Sequence, residues 1–529
     1  LGTDDRAILD RLDQILEEES TRHTFKLKEG EAVFFANKRV LHARTGFDAG
    51  SDRTLFRVRY HADLGRAARG GLMRWLRGLF VEGERMPAPK PDRIELLKEQ
   101  AAAHPEDVAL LRKLAKELAG RGDFTGAEEW NARALKLAPE DHDMLLLSSC
   151  LKWEAADHGG AQEALRTLAQ HHPFLFPKRQ DAVKPTVLRL RGFKNIKYVL
   201  RGGVGRYAPR LQGGHFSVTH FLDKRHFNVV SANVFDEAAP WPEGKPLPDV
   251  VLNCVACADR MKDSLKALEG FLKAHPDLPV INHPANVLKT SREENYRRLG
   301  AIEGVVFPNT VRLEAGSADA ALAAIKAGGF TYPLILRPTE THTGVDVAKV
   351  EDEAGVHRYF ESAQPDRAYY IIQFHDLRDS AGRYRKSRTF CIDGTYYPVA
   401  SLVHDDWNVH SGDRYAVMAD DDASQAAERD YLANFTDWLG AENIKRLHQA
   451  RDLMELEFFG VDFCKLPDGR LFIFECNAAM RHNYDHAGAF PYTEPYLDKV
   501  SSAFDAMLKA RTGAMAHDWV RLNQRAQGL

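Results

Sequence analysis

The 529-residue chain is expected to be a multidomain protein of mixed α/β and α class: an N-terminal β fragment, a run of paired helices and a C-terminal α/β region. Three observations predict this. Pro105, Pro139 and Pro173 recur every 34 residues through a Leu- and Ala-rich stretch, which is a helix-pair period. From residue 183, short apolar runs alternate with amphipathic segments, as strands and helices do in a layered domain. Near the C-terminus, Phe458–Phe463 and Leu471–Phe474 flank Pro467-Asp468-Gly469, a β-hairpin signature.

Composition narrows the function. Hydrophobic residues make up 44% and charged residues 28%, as in soluble globular proteins, and a net charge of −3 gives no basic field for nucleic acid. No apolar run approaches a membrane span, and the N-terminus has no signal-peptide pattern. Six scattered cysteines do not make a disulfide framework, so a reducing, cytoplasmic setting is expected. Cys254-Val-Ala-Cys257 stands alone in an apolar stretch and reads as buried packing rather than a zinc or redox pair.

At the start, a charged helix (Ala7 to Glu19) leads into strand-like runs at Glu31–His42 and Thr54–Tyr60. Asn37-Lys-Arg-Val-Leu-His42-Ala-Arg and Arg53-Thr-Leu-Phe-Arg57 resemble the C-terminal part of the taurine-dioxygenase-like Fe(II)/2-oxoglutarate oxygenases, over residues 1–63. The resemblance implies that His42 takes the distal iron-ligand position and Arg57 pairs with the cosubstrate carboxylate. A facial triad also needs a His-x-Asp upstream of the distal His. Here His61-Ala-Asp63 lies downstream instead. The segment is therefore expected to be the end of a longer polypeptide, or a relic, inactive alone and serving as a strand pair that caps the next domain, with Fe(II) and 2-oxoglutarate relevant only if an upstream oxygenase portion exists.

Residues 64–92 read as a linker whose Arg66, Arg69, Arg74 and Arg77 alternate with apolar residues expected to pack on a neighbouring domain; contact with a membrane or an acidic partner is the alternative. Residues 93–178 carry Leu111, Leu114, Ala115, Leu118, Gly122, Phe124, Ala127, Ala134 and Pro139 in a register that resembles tetratricopeptide repeats. Ser148 and Ser149 depart from it. Such arrays imply a concave surface for a peptide or carrier-protein partner; a helical spacer is the alternative. In residues 183–285, strands are expected at 186–190, 229–235, 249–254 and 278–282, with a helix over Met261–His275. Arg201-Gly-Gly-Val-Gly-Arg206 and Gln212-Gly-Gly-His-Phe216 lack the Lys-Ser/Thr of a P-loop and read as a substrate-side loop.

Residues 286–512 carry the chemistry. Residues two apart on a strand share a face, so Glu475 and Asn477 converge, with Asp462 facing them from the partner strand. Three oxygen donors without thiolate or imidazole suit a hard cation such as Mg²⁺. An acid followed by Glu-x-Asn resembles the metal-binding strands of ATP-grasp ligases of the carboxylate–amine, RimK-like or glutathione-synthetase-like kind, and the order of motifs from 183 to 512 is similar. The resemblance implies an ATP-grasp fold preceded by its α/β domain, with ATP and Mg²⁺, or Mn²⁺, as cofactors. It places Arg292, at the start of a capped helix, near the nucleotide. Arg337, Thr343 and Gly344 become the phosphate clamp, with Arg337 where the family has Lys and one loop glycine where it has several. Gln373 and Phe374 become the adenine hinge, and Arg388 faces the γ-phosphate and the forming acyl phosphate. Arg337 and Arg388 are thus catalytic candidates, together with Arg481, which follows the metal hairpin and could hold an acceptor carboxylate. Ser401–Arg414 is expected to be a polar lid or substrate loop. The implied activity is ATP-dependent joining of a small-molecule or peptide carboxylate to an amine. A non-catalytic nucleotide-binding scaffold and the ligase half of an oxygenase–ligase are the alternatives.

Overall fold

The computed structural model describes residues 93–200, 209–341, 346–409 and 414–513; His42, Arg57, Thr343 and Gly344 lie outside these ranges. The described chain opens with five helices, Arg93–Ala103 (α1), Val108–Arg121 (α2), Phe124–Leu137 (α3), His142–Glu154 (α4) and His158–His171 (α5). From α2 onward each starts on an aspartate. Asp107, Asp123, Asp141 and Asp157 accept hydrogen bonds from backbone N–H groups in the first turn, which otherwise lack partners. Leu111, Leu114, Ala115 and Leu118 of α2 pack with Ala127 and Ala134 of α3 in one apolar cluster. Ser148 and Ser149 are buried in α4, which packs on the hairpin strands Lys197–Leu200 and Pro209–Gln212 as well as on its helical neighbours.

Phe174–Leu175 (β1), Thr186–Gly192 (β2), Lys197–Leu200 (β3), Pro209–Gln212 (β4), Asn228–Val234 (β5), Val250–Asn253 (β6), Lys262–Lys273 (α6) and Val280–Ile281 (β7) follow. The sheet order is β1-β5-β2-β6-β7, parallel except for β1, while β3 and β4 pair as a separate hairpin. The four strands expected here and the helix before the last of them are present, with ends shifted by up to two residues. Cys254 and Cys257 are buried, and burial pushes both thiols up to about 12, as a packing role requires.

Pro284–Val287 (α7), Arg292–Leu299 (α8) and Val305–Val306 (β8) lead to a four-stranded antiparallel sheet. Its parts are Thr310–Leu313 (β9), Ala318–Ala327 (α9), Leu334–Pro338 (β10), Ala348–Val350 (β11), Glu353–Glu361 (α10) and Tyr369–Gln373 (β12), in the order β11-β10-β12-β9. One face is apolar: Leu334, Leu336, Ile371 and Val350 pack with Ala321 and Ile325 of α9 and Val356 and Phe360 of α10.

The last sheet is built from Tyr384–Ile392 (β13), Thr395–His404 (β14), Phe458–Lys465 (β15) and Leu471–Asn477 (β16), with β8 at its edge, in the order β14-β13-β15-β16-β8. Asp422–Ala433 (α11), Phe435–Leu439 (α12) and Ala441–Met454 (α13) lie between β14 and β15, and Glu494–Thr512 (α14) closes the described chain. Gly469, at φ +84° in the β15–β16 turn, adopts the left-handed conformation that a side chain disfavours. One expectation is corrected. Ser401–His404 belongs to strand β14, and Ser401, Leu402 and Val403 are buried rather than in a lid. The polar groups that suggested exposure are satisfied internally: Ser401 N–H donates to Glu428 Oε1 (2.8 Å), and its hydroxyl meets that of Ser387 at 2.9 Å.

The segment after β16 is pinned to α14 by a polar chain. His482 Nε2 lies 3.0 Å from Ser501 Oγ, which meets the Tyr484 hydroxyl at 3.1 Å, and that hydroxyl donates to Asp498 (2.8 Å). The His482 ring stacks on Phe221, and burial holds its pKa down to about 3. The unfolded chain, with an ordinary histidine near 6.5, takes up a proton that the folded one refuses. Stability is therefore highest above pH 6.5 and falls as pH drops toward 3. His482→Phe should flatten that fall, and urea midpoints at pH 7.5 and 5.0 read it directly. His215, held down to about 4 by burial, leaves a residual slope. An unchanged pH difference in the variant counts against this account.

Among the described residues, no helix is long and apolar enough to cross a membrane.

Candidate active site

Three strands align three charges. The register sets Arg388 of β13 opposite Asp462 of β15, and Asp462 opposite Glu475 of β16. Residues directly opposite on neighbouring strands share a face, so all three rise from one side of the sheet. Asn477, two residues beyond Glu475, joins them. A bulge after Asp462 makes two residues of β16 oppose one of β15 and leaves Phe474 out of the pairing.

The pairing among these charges is specific. Arg388 forks onto Asp462, Nε to Oδ1 at 2.6 Å and Nη2 to Oδ2 at 2.8 Å. Burial works against the Arg388 charge, but the Asp462 charge and hydrogen bonds outweigh it and raise the pKa. Arg292, the first residue of α8, reaches Glu475 Oε1 at 2.9 Å and the Phe474 carbonyl at 3.3 Å. Its position follows from Ser291, which caps the helix, and from buried Asn295, which donates to the carbonyls of Thr290 (3.2 Å) and Cys476 (2.7 Å) and so fastens α8 to β16. Asn477 Oδ1 accepts from Ala479 N–H at 2.9 Å.

The small sheet supplies the other charges. On β10, Leu334 and Leu336 face the helices, so Ile335 and Arg337 point the other way. Register places Ile372, Tyr370 and Lys349 on that same face. Burial first, and then the nearby Arg292 cation, bring Arg337 down to about 10, while Glu475 pulls in the opposite direction. Arg337 thus lies within the field of the Arg292–Glu475 pair. Its Nη2 donates to the carbonyl and hydroxyl of Thr341, but its Nε is sealed from solvent with no partner. Among the described residues, no carboxylate lies within ion-pair reach of it.

Two candidates have partners within the fold. Gln373 closes strand β12. Its N–H donates to the Asn309 carbonyl (2.8 Å), and its side-chain amide clamps the Thr331 backbone, accepting from its N–H (3.0 Å) and donating to its carbonyl (2.8 Å). Arg481 is exposed and paired with Asp485 at 2.6 Å, so an acceptor carboxylate there would have to displace that acid. Phe374 carries Lys349 Nζ 4.6 Å over its ring and meets the edge of Trp407, an apolar and cationic setting. Sequence reasoning missed Lys349, Asn295 and Asp259. Asp259 accepts from Arg312 (2.7 Å) and from the Tyr370 hydroxyl (2.8 Å), tying the loop after β6 to the small sheet. Those partners are 53 and 111 residues away, and no local pattern announces them.

Among the described residues, no group of three or more His, Cys, Asp or Glu side chains could hold a metal ion. Asp462, Glu475 and Asn477 make an all-oxygen donor set of two acids and one amide. That suits Mg²⁺, which takes few protein ligands and fills its other positions with water and phosphate oxygens.

The Taurine catabolism dioxygenase TauD, TfdA family matches residues 2–59. No curated protein matches the chain. Among solved structures, it is similar to the RimK domain protein ATP-grasp from Sphaerobacter thermophilus, at 16% identity over 59% of this chain and 98% of that one, with a TM-score of 0.34. It is also similar to the D-alanine–D-alanine ligase of Bacillus anthracis complexed with ATP, at 13% identity over 63% and 99%, TM-score 0.36. The N5-carboxyaminoimidazole synthase of Aspergillus clavatus is 14% identical, with a TM-score of 0.33. That match covers 52% of this chain and spans 62% of the length of that enzyme. At such scores the likeness carries no weight for this chain's chemistry, which has to come from its own residues.

Proposed function

We propose that the chain is an ATP-dependent carboxylate–amine ligase acting between the small sheet and the β13–β15–β16 face. The observation that carries this is Arg337: a partly buried guanidinium with a sealed Nε and, among the described residues, no carboxylate of its own, beside Arg292 and Glu475. A buried cation left unpaired is costly, and a polyanion such as a triphosphate offsets that cost. Arg337 and Arg292 hold phosphate oxygens, and Ile335, Ile372 and Phe374 offer an apolar wall for the base. Arg388, held rigid by Asp462, faces the oxygens where charge develops as the γ-phosphoryl group passes to a substrate carboxylate. The products of that step are ADP and an acyl phosphate. An amine nitrogen then bonds to the acyl carbon, inorganic phosphate leaves with the C–O electron pair, and the nitrogen loses a proton. Mg²⁺ or Mn²⁺ held by Asp462, Glu475 and Asn477 would neutralise phosphate charge. Little covalent chemistry falls to the protein; positioning and charge account for the rate.

ADP release from ATP and Mg²⁺, screened against mixtures of carboxylates and amines, tests this. Turnover is expected to need both co-substrates and to be lost in Glu475→Ala. Full activity in that variant, or nucleotide binding with no ADP under any pairing, argues for a scaffold instead. The helices α1–α5, taken as tetratricopeptide-like pairs, would present a peptide or carrier-bound substrate. The family match at residues 2–59 favours a second activity in the same polypeptide, an Fe(II)/2-oxoglutarate oxygenase to which His42 and Arg57 would belong.

A further inference from the structure

Parallel strands covered on both faces normally read as continuous apolar runs. Strand β2 does not. Its sequence, Thr-Val-Leu-Arg-Leu-Arg-Gly, puts Arg189 and Arg191 on one face, while Leu188 and Leu190 fill the other. The register with β5 sets Ser231 beside Arg189 and Asn233 beside Arg191, so four polar side chains share one patch of the sheet. Ser231 and Asn233 are buried.

The helical layer comes down against this region. Asn233 donates to the carbonyl of His172, just past α5, at 2.7 Å, and Gln162 of α5 donates to the Ile196 carbonyl at 2.6 Å. The arginines thus lie in the seam between α5, the β3–β4 hairpin and the sheet. The Nε of each is sealed from solvent with no hydrogen-bond partner among the described residues; Arg191 meets the Asn233 side-chain oxygen through Nη2 and lies 5.4 Å over the Phe193 ring. Among the described residues, neither arginine has a carboxylate within ion-pair reach. The groups whose fields touch Arg191 are Tyr198, Arg189 and Cys254, none an ionised acid at neutral pH. Burial, opposed by Tyr198 and reinforced by Arg189, brings Arg191 down to about 10.

Two like charges on one face, with unused donors and no acid among the described residues, lack an anion. Their place strengthens the case. Arg191 is the penultimate residue of β2, at the carboxyl end of a parallel sheet, where ligands of such sheets bind. The adjoining Gly213–Gly214 turn has two left-handed glycines, and His215 closes it onto the end of β2 by accepting from Gly192 N–H at 3.0 Å.

We propose that Arg189 and Arg191, with Ser231 and Asn233, form a binding site for the oxoanion group, carboxylate or phosphate, of a small molecule seated between the helical layer and the parallel sheet. Two guanidinium forks side by side suit planar carboxylate or phosphate oxygens, and Ser231 adds a neutral donor. The proposal does not depend on the ligase assignment.

The test is thermal unfolding of the full chain at constant ionic strength, titrated with citrate in one arm and inorganic phosphate in the other. In the wild type, at least one anion should raise the midpoint saturably by several degrees. The rise should persist in Arg337→Met, which removes the competing cation in the other cleft. In Arg189→Met and in Arg191→Met the apparent affinity should fall at least tenfold, and without added anion both variants should unfold at or above the wild-type midpoint. Ser231→Val, which keeps both charges, should weaken binding less. The proposal is overturned if neither anion shifts the wild type, if the shift is lost only in Arg337→Met, or if Arg191→Met lowers the anion-free midpoint by several degrees. The last result would make Arg191 a structural arginine.

Discussion

Arg337→Met should bind nucleotide on the order of a hundredfold more weakly than the wild type while unfolding at the same temperature or higher. The two halves have one cause. In the free protein the Arg337 guanidinium is partly buried, has a sealed Nε with no partner among the described residues and feels Arg292 as a like charge. Methionine fills similar space without that desolvation cost; what it forgoes is the pair of bonds to Thr341. Replacing an unpaired buried ion by an apolar side chain is commonly neutral or stabilising. With a triphosphate present the sign reverses. A hydrogen bond to a charged group contributes about 1.5–3 kcal/mol, and tenfold in Kd is about 1.4 kcal/mol. Calorimetry with a non-hydrolysable ATP analogue and Mg²⁺, beside thermal unfolding without it, separates the two terms. A lower melting point with unchanged affinity would make Arg337 a scaffold residue and remove the observation on which the ligase proposal rests.

Where local patterning decided an element, the sequence disclosed it. The β15–β16 hairpin is an example: two apolar runs joined by a Pro-Asp-Gly turn set Asp462 facing Glu475, as the register has them. Helix α8 is another, announced by Ser291 and the acids after it, Glu293 and Glu294. The same patterning could not say which acid serves which arginine. Asp462 is 74 residues from Arg388, and Glu475 is 183 from Arg292, so the partnerships appear only when the strands and α8 assemble. Polar letters also misled where their partners were remote. Ser401 reads as surface, yet it is sealed because Glu428, 27 residues on, comes back beneath β14. The side-chain amide of Gln373 is spent on the Thr331 backbone, 42 residues away, a contact that its position at the end of an apolar strand does not announce. Periodicity reports which face a residue is on, and only the fold reports what meets it there.

Asp462→Ala should be the most damaging single change to stability among the candidate residues. Asp462 sits in the middle strand of three, with a side-chain exposure of 4%, while Arg388 keeps 30% of its side chain open to the cleft. Breaking a fully buried pair by removing one partner costs about 3–5 kcal/mol because the other charge is stranded. The open edge of Arg388 lets water relieve part of that, which puts the loss nearer to about 2–4 kcal/mol. Leaving the charge stranded, rather than losing a contact, is then the main term, and removing it should repair the fold. Adding Arg388→Met to Asp462→Ala should recover most of the lost urea midpoint, giving a large coupling energy in the double-mutant cycle. Activity should not return, since the double variant lacks both the acid assigned to the metal and the cation facing the γ-phosphate. Recovery of stability without turnover fits a pair that is structural in the resting protein and chemical when nucleotide binds. If the two losses simply add, Asp462 stabilises the sheet through something other than Arg388, and the fork between them is incidental.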